Sequence, residues 1–283
     1  MWRTQMNRSV VVAVLLAAAA ATAQESSWEG DLLQPEPQVR GMLGVTWESQ
    51  YIWRGFDVFD DTSAVHLLGG LDLFDTGFGL SAAGHRANSS GFEDAERWDY
   101  TAYYQNALFA GEPYATNYRV GWVYYNYPEL WQEEFDLQEA HAVLAWPNLL
   151  PVQGLQPSYV AIKMWPAKGG SVVEGLRPSQ NVSGWMHILM LDYGFTIPGV
   201  VPDVVEHVIR LHGELVYNDG TSPYGTNIPS GFSHAVVGAS TDFAFGSEGE
   251  FVFSPAVYYQ HTMEDLVNDE DELWVSVGLK YLF

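Results

Sequence analysis

The sequence predicts an all-β protein: a single antiparallel, up-and-down transmembrane β-barrel of about 12 strands. From residue 39 onward, stretches with partial alternation of apolar and polar residues are separated by turn-rich segments. Compact and long connections tend to alternate along the chain, as they do in a barrel of hairpins. Beyond the N-terminal region, no stretch approaches the roughly 18 to 20 consecutive apolar residues of a spanning helix. A membrane would therefore be crossed by strands.

The N-terminal region has the features of an export signal. Arg3 and Arg8 lie before or beside an uninterrupted apolar run over 10–21, and Ala21-Thr22-Ala23 is a small-x-small cleavage pattern. The mature protein is therefore expected outside the cytoplasm. The predicted organisation is a signal peptide over 1–23, an N-terminal leader over 24–38 and a barrel over 39–283.

The composition restricts the possible partners. The chain has no cysteine, so no disulfide can stabilise it, and its net charge is -23. Cleavage after residue 23 would remove two arginines and no acid, so the mature charge would be -25. Because nucleic-acid binding depends on cationic contacts with phosphates, we expect no nucleic acid as a partner.

The predicted strands follow from alternation and from the turn residues that bound them. In chain order they cover 39–54, 63–74, 77–86, 96–109, 114–127, 135–146, 155–165, 182–195, 205–218, 233–245, 249–262 and 272–283.

The lengths of the connections indicate which strand ends lie on the same side of the membrane. Those at 75–76, 110–113 and 246–248 are compact, whereas 85–95, 168–181, 219–232 and 263–271 are long and polar. Outer-membrane barrels have short periplasmic turns and longer external loops, so the first strand should begin in the periplasm. Two features do not fit this scheme: the external connection 55–62 is short, and the periplasmic connections 147–154 and 197–203 are long and apolar.

The last strand alternates as far as the final residue. Leu273, Val275, Val277, Leu279, Tyr281 and Phe283 would lie on one face, opposite Trp274, Ser276, Gly278, Lys280 and Leu282. A terminal strand that ends in an aromatic residue resembles the assembly signal of bacterial outer-membrane barrels. The resemblance implies that Tyr281 and Phe283 are recognised by the outer-membrane assembly machinery.

Aromatic residues concentrate near the predicted strand ends. Amphipathic rings favour the headgroup zone of a bilayer, whereas a soluble core would place them in mid-strand. We therefore predict aromatic girdles in contact with outer-membrane lipid. Their members are Trp47, Tyr51, Trp53, Trp122, Tyr124, Tyr125, Tyr127, Trp146, Trp165, Phe195, Tyr217 and Phe245.

The element Tyr51-Ile52-Trp53-Arg54-Gly55 carries a family resemblance. It is similar to the aromatic-x-aromatic-Arg-Gly element in the Gcw_chp or TorF-type family of proteobacterial outer-membrane porins. The segments Leu67-Leu68-Gly69-Gly70-Leu71-Asp72 and Gly77-Phe78-Gly79-Leu80-Ser81 resemble strands that follow it there. The resemblance covers mainly the first third of the mature chain and the terminal strand. It implies a small barrel in the outer membrane of a Gram-negative bacterium.

Charged residues within strands indicate a polar lumen. Arg210, His212 and Glu214 share one face of a strand, and His66 and Asp72 share a face of another. Arg or Lys facing lipid at mid-depth costs about 2 to 4 kcal/mol, so these side chains should point inward. They could be a structural network that fills the lumen. Alternatively, the candidate constriction that sorts solutes by charge consists of Arg54, Arg119, Arg210, His212 and Glu214.

The predicted external loops are acidic. One contains Glu93, Asp94 and Glu96, another Glu129, Glu133, Glu134 and Asp136, and the last Glu264, Asp265, Asp269, Glu270, Asp271 and Glu272. Such loops concentrate cations, with Glu264, Asp265, Asp269 and Asp271 as the principal candidates. None has the spacing of a dedicated calcium loop, so no metal site is predicted.

We expect neither catalysis nor a cofactor. His85, Asn88 and Ser89 occur together where a strand meets a loop, but the residue two positions after His85 is Ala87 rather than serine. Histidines are scattered without a zinc-ligand spacing.

Three functional hypotheses remain. The first is a narrow channel for small solutes, with a preference for cations. The second is a plugged structural or surface-interaction barrel without open-channel activity. The third is a soluble periplasmic β-protein.

Overall fold

The computed structural model describes residues 39–130, 135–168, 183–199, 206–246 and 249–283. The predicted signal peptide over 1–23 and leader over 24–38 lie outside these residues. Within them, no helix is long and apolar enough to cross a membrane.

Strands dominate the described chain. In chain order they are β1 (Arg40–Glu48), β2 (Ile52–Trp53), β3 (Phe56–Asp57), β4 (Ala64–Asp72), β5 (Phe78–Ala87), β6 (Arg97–Leu108), β7 (Thr116–Asn126), β8 (Leu137–Ala145), β9 (Leu155–Pro166), β10 (Gly184–Pro198), β11 (Glu206–Asp219), β12 (Gly231–Thr241), β13 (Phe243–Phe245), β14 (Phe251–Thr262) and β15 (Glu272–Leu282). A short 3-10 turn, Glu93–Ala95, precedes β6.

These strands close into an antiparallel barrel. Each barrel strand pairs with the next along the chain, and β12 and β13 both pair with β14, so together they count as one barrel strand. The small hairpin of β2 and β3 is separate. Pairing of β1 with β15, from Met42 with Leu282 to Glu48 with Ser276, completes the ring. The predicted 12-strand, all-β barrel is confirmed.

Eleven predicted strands match a barrel strand with ends within three residues, but the first prediction was wrong. We predicted a strand over 39–54, whereas β1 ends at Glu48 and the chain then forms the β2–β3 hairpin. That hairpin turns at Arg54 (φ 55°) and Gly55 (φ 90°), two left-handed residues typical of a tight hairpin turn. The first external connection is therefore 49–63, which removes the anomaly of a short external loop.

Side chains alternate between the outside and the inside of the barrel as predicted. In β15, Leu273, Val275 and Leu279 are exposed on the outside, whereas Trp274 and Ser276 are buried inside. In β11, Leu211 is exposed on the outside, opposite the face of Arg210, His212 and Glu214. The outer surface is therefore apolar, whereas the inner surface carries the charged side chains beside buried apolar clusters.

The predicted aromatic girdle is partly correct. Trp47, Trp122, Tyr217 and Phe245 are exposed on the outside. The assignment was wrong for Tyr51, Trp53, Tyr125 and Tyr127, which are buried in an apolar cluster that also contains Phe59, Val123 and Leu137. Tyr51 and Trp53 lie in the hairpin, and Tyr125 lies on the inner face of β7, so none of these three rings can reach lipid.

Candidate functional site

The lumen is crossed by the first external connection, residues 49–63, which we call the plug hairpin. It contains β2 and β3, and its side chains Ile52 and Phe59 are only 1% and 0% exposed. Such burial of apolar side chains between the walls of the barrel stabilises the inward position of the hairpin.

The tip of the plug hairpin contacts two separate parts of the barrel wall. The Arg54 guanidinium donates to the Glu139 carboxylate of β8 and to Tyr125 Oη of β7, the latter at 3.2 Å. The Gly55 carbonyl accepts a hydrogen bond of 2.9 Å from Gln260 Nε2 of β14. The sequence-predicted lumen residue Arg54 is therefore in the lumen, carried there by a loop rather than by a strand.

Apolar contacts hold the two flanks of the plug hairpin. Ile52 packs with Val236 and Trp274 on one wall. Phe56 packs with Ile228 and Val267, which lie in two external loops. Together with the cluster around Tyr51 and Trp53, these contacts occupy the external half of the lumen.

A buried histidine pair lies beneath the plug hairpin. Nδ1 of His66 is 2.8 Å from Nδ1 of His85, and the outer ring nitrogens face Glu48 at 3.3 Å and Asp99 at 3.1 Å. The Tyr51 ring stacks on His85 with centroids 5.1 Å apart. Both ring nitrogens of His85 therefore have partners in the lumen.

A second polar network joins β10, β11 and β12. His212 Nδ1 is 2.7 Å from Asp192, His212 Nε2 is 3.5 Å from Glu214, and Glu214 is 3.9 Å from His234. The predicted residues His212 and Glu214 are thus brought together by ion-pair geometry. Both face the lumen.

The other two predicted arginines lie toward the ends of the strands that are opposite the plug hairpin. Arg210 pairs with Asp242 at 2.8 Å. Arg119 donates to the side-chain Oε1 of Gln105 at 2.6 Å and lies over the Tyr103 ring at 4.2 Å. The side chains of both arginines are half-buried. The five predicted residues therefore do not form a single ring.

Carboxylates outnumber arginines and lysines on the inner surface of the described barrel. The inward acids are Glu48, Asp72, Asp99, Glu139, Asp192, Glu214, Asp242 and Glu272, and the inward cations are Arg40, Arg54, Arg97, Arg119, Arg210 and Lys280. Glu139 and Arg97 were not among the predicted site residues. The strand alternation carried the signal, because both fall at inward positions.

The last external loop is acidic and mostly exposed. Asp265, Asp269 and Asp271 are exposed, and Glu264 is half-buried. Hydrogen bonds from the Tyr259 hydroxyl, then from the Thr262 backbone N–H and His261, lower the pKa of Asp271 to about 2. Asp271 therefore stays charged well into the acid range.

Asp57, Asp61 and Glu272 approach one another at the external rim. One oxygen of each lies within 4.8 Å of the others, which is a spacing that could hold a hard cation. Burial, together with the nearby Asp61 and Asp60 carboxylates, raises the pKa of Asp57, against backbone hydrogen bonds that lower it. The Gln50 amide donates to both Asp61 and Glu272, so the cluster is bridged from within the protein.

Comparison with known proteins shows the fold but not a family. No family model and no curated protein matches the sequence. The NanC porin is 9% identical, with 84% of this chain and 98% of that chain covered and a TM-score of 0.50. The KdgM porin is 15% identical over 86% of this chain and 99% of that chain, with a TM-score of 0.49. LpxR from Salmonella typhimurium is 10% identical over 86% and 100%, with a TM-score of 0.45. The likeness to NanC shows that this chain has the fold of an outer-membrane porin.

Proposed function

We propose that the protein is a narrow outer-membrane channel for small solutes, closed toward the exterior by the plug hairpin. The observation that carries this proposal is a charged, polar lumen enclosed by an apolar outer surface. Such a surface fits a bilayer, and the fold likeness to the NanC porin supports the same location. No catalytic step is part of the proposal. The proposal also includes membership of the Gcw_chp or TorF-type family, which is supported by the element at 51–55.

The proposed channel prefers cations. Inward carboxylates outnumber inward arginines and lysines in the described barrel, and the external loop with Asp265, Asp269 and Asp271 adds negative potential at the mouth. Like-signed charges in a narrow, low-dielectric passage raise the local concentration of the opposite ion.

The alternative is a plugged barrel with a structural or surface-interaction role. Complete burial of Phe59 and the contacts of the Arg54-Gly55 tip with opposite walls favour it. The two functions differ in whether the plug hairpin leaves the lumen.

The reversal potential of the refolded mature protein in a planar bilayer, under a salt gradient, tests both. We expect stepwise conductance and a reversal potential of cationic sign. Combined replacement of Glu264, Asp265, Asp269 and Asp271 by the corresponding amides should move the reversal potential toward zero. Glu112→Gln, in a connection at the other end of the barrel, is the matched control. Insertion without conductance would support the plugged barrel instead.

A further inference from the structure

A cluster of rings and one lysine lies on the outer surface of β9–β12, near their external ends. We call it the external patch. Its members are Tyr159, Lys163, Trp185, His187, Tyr217 and Phe232.

The side chains of the external patch are organised by cross-strand pairing. Lys163 pairs directly with Trp185, and its ammonium is 5.6 Å from the centre of the Trp185 ring. The His187 ring stacks between Tyr159 and Trp185, at centroid distances of 6.1 and 6.3 Å and interplanar angles of 9° and 7°. The Tyr159 hydroxyl lies 2.7 Å from His187 Nδ1, which leaves Nε2 for another partner.

The external patch faces away from the lumen. The residues that alternate with it, such as Ile162, Met186 and Ile188, are buried on the inner face, in a second apolar cluster. Trp185 is 44% exposed, and Leu189, farther from the external end of the same strand, is 55% exposed. The patch therefore lies where the apolar outer band gives way to the external rim.

Lys163 is an unpaired charge on this outer surface. It makes no ion pair with any described residue, whereas Arg86, another outward-facing cation near the rim, pairs with Glu96 at 3.2 Å. A lysine at the lipid interface of a strongly acidic protein is complementary to an anionic group of the surrounding lipid. Flat, parallel ring faces beside it are suited to stacking against sugar rings and their C–H groups.

We propose that the external patch binds a phosphorylated glycolipid of the outer leaflet. Lys163 contacts the phosphate, the Trp185 ring and His187 Nε2 contact the sugar, and Phe232 and Leu189 contact the acyl chains. The proposal rests on the outer-membrane location within the proposed function and not on conduction. A barrel that never conducts would still bind the lipid.

Titration of the folded, detergent-solubilised protein with lipid A, an acylated and bisphosphorylated glucosamine disaccharide, tests the proposal by native mass spectrometry. We expect Lys163→Gln to weaken binding about tenfold, as for the loss of one charge-assisted contact. Trp185→Leu should weaken it similarly, because the surface stays apolar but the ring face is lost. Arg86→Gln is the matched control and should bind as the wild type does.

Two results would overturn the proposal. The first is unchanged lipid A binding in both Lys163→Gln and Trp185→Leu. The second is phosphatidylglycerol binding as tightly as lipid A, because this would show that any anionic lipid suffices. Heat-dependent gel migration verifies that each variant is folded, and an unaltered shift together with weaker binding supports the assignment. The readout is independent of bilayer conductance, so a failed channel assay leaves it interpretable.

Discussion

Replacing Arg54 by methionine should release the plug hairpin. Methionine keeps most of the apolar stem of the side chain but removes the positive charge that pairs with the Glu139 carboxylate. The Glu139 side chain is 2% exposed, and it would keep only Tyr125 at 2.6 Å and His141 at 3.0 Å. The inward state of the hairpin would then contain a buried carboxylate without a cationic partner from the hairpin.

The size of the effect follows from this geometry. Removing one partner of a buried ion pair costs about 3 to 5 kcal/mol. Because Tyr125 and His141 still hydrogen-bond to Glu139, we expect the substitution to destabilise the inward state of the hairpin by about 2 to 3 kcal/mol. At about 1.4 kcal/mol per tenfold change, the ratio of open to closed hairpin rises roughly 30- to 150-fold.

Single-channel recording measures this ratio as the open probability. Arg119→Met is the matched control, since Arg119 contacts Gln105 and Tyr103 rather than the plug hairpin. The double variant Arg54→Met with Glu139→Gln should open less often than Arg54→Met alone, because no unpaired charge remains buried. A folded Arg54→Met protein with the open probability of the wild type, or without any conductance, would refute the reasoning.

Three other changes have defined outcomes. Gly55→Ala should lower the unfolding temperature more than Gly91→Ala in calorimetry. Both glycines have a positive φ, but an added Cβ would lie 2.5 Å from His234 Nδ1 at position 55 and would have no neighbour within 4 Å at position 91. Tyr259→Phe should raise the pKa of Asp271 from about 2 toward its usual value of about 3.9, as measured by carboxyl ¹³C NMR. Because that pKa is lowered in the folded protein, its stabilising effect is present above the usual value and is lost as pH falls toward 2; an unchanged titration would remove Tyr259 as the cause. Phe283→Ala should reduce the amount of folded barrel in the outer membrane, as seen in fractionated cells, if the terminal aromatic residue is an assembly signal; normal levels would contradict it.

The barrel strands could be predicted because their signal is local. In a strand such as β11 or β15, the alternation of residue types indicates which side chains face inward, and the turn residues mark where the strand ends. The same alternation placed Arg210, His212 and Glu214 on the lumen side without any knowledge of their partners.

The plug hairpin could not be predicted in this way. The segment before Arg54 alternates as a strand does, and its burial depends on partners far away in the chain, namely Glu139 and Gln260. One local signal was available: Arg54-Gly55 between aromatic residues is compatible with a two-residue turn. Reading it as a turn would have ended the first strand earlier and lengthened the first external loop.

The barrel closes only when the first barrel strand, β1, pairs with the last, β15. Gly41 and Phe283 exchange two backbone hydrogen bonds of 2.7 and 3.0 Å across nearly the whole length of the chain. Until β15 has paired with both neighbours, β1 and β14 are unprotected sheet edges that can pair with other chains. A chain shortened by one strand is therefore not a smaller barrel but an open sheet, and the polypeptide must be kept from self-association until β1 and β15 have paired.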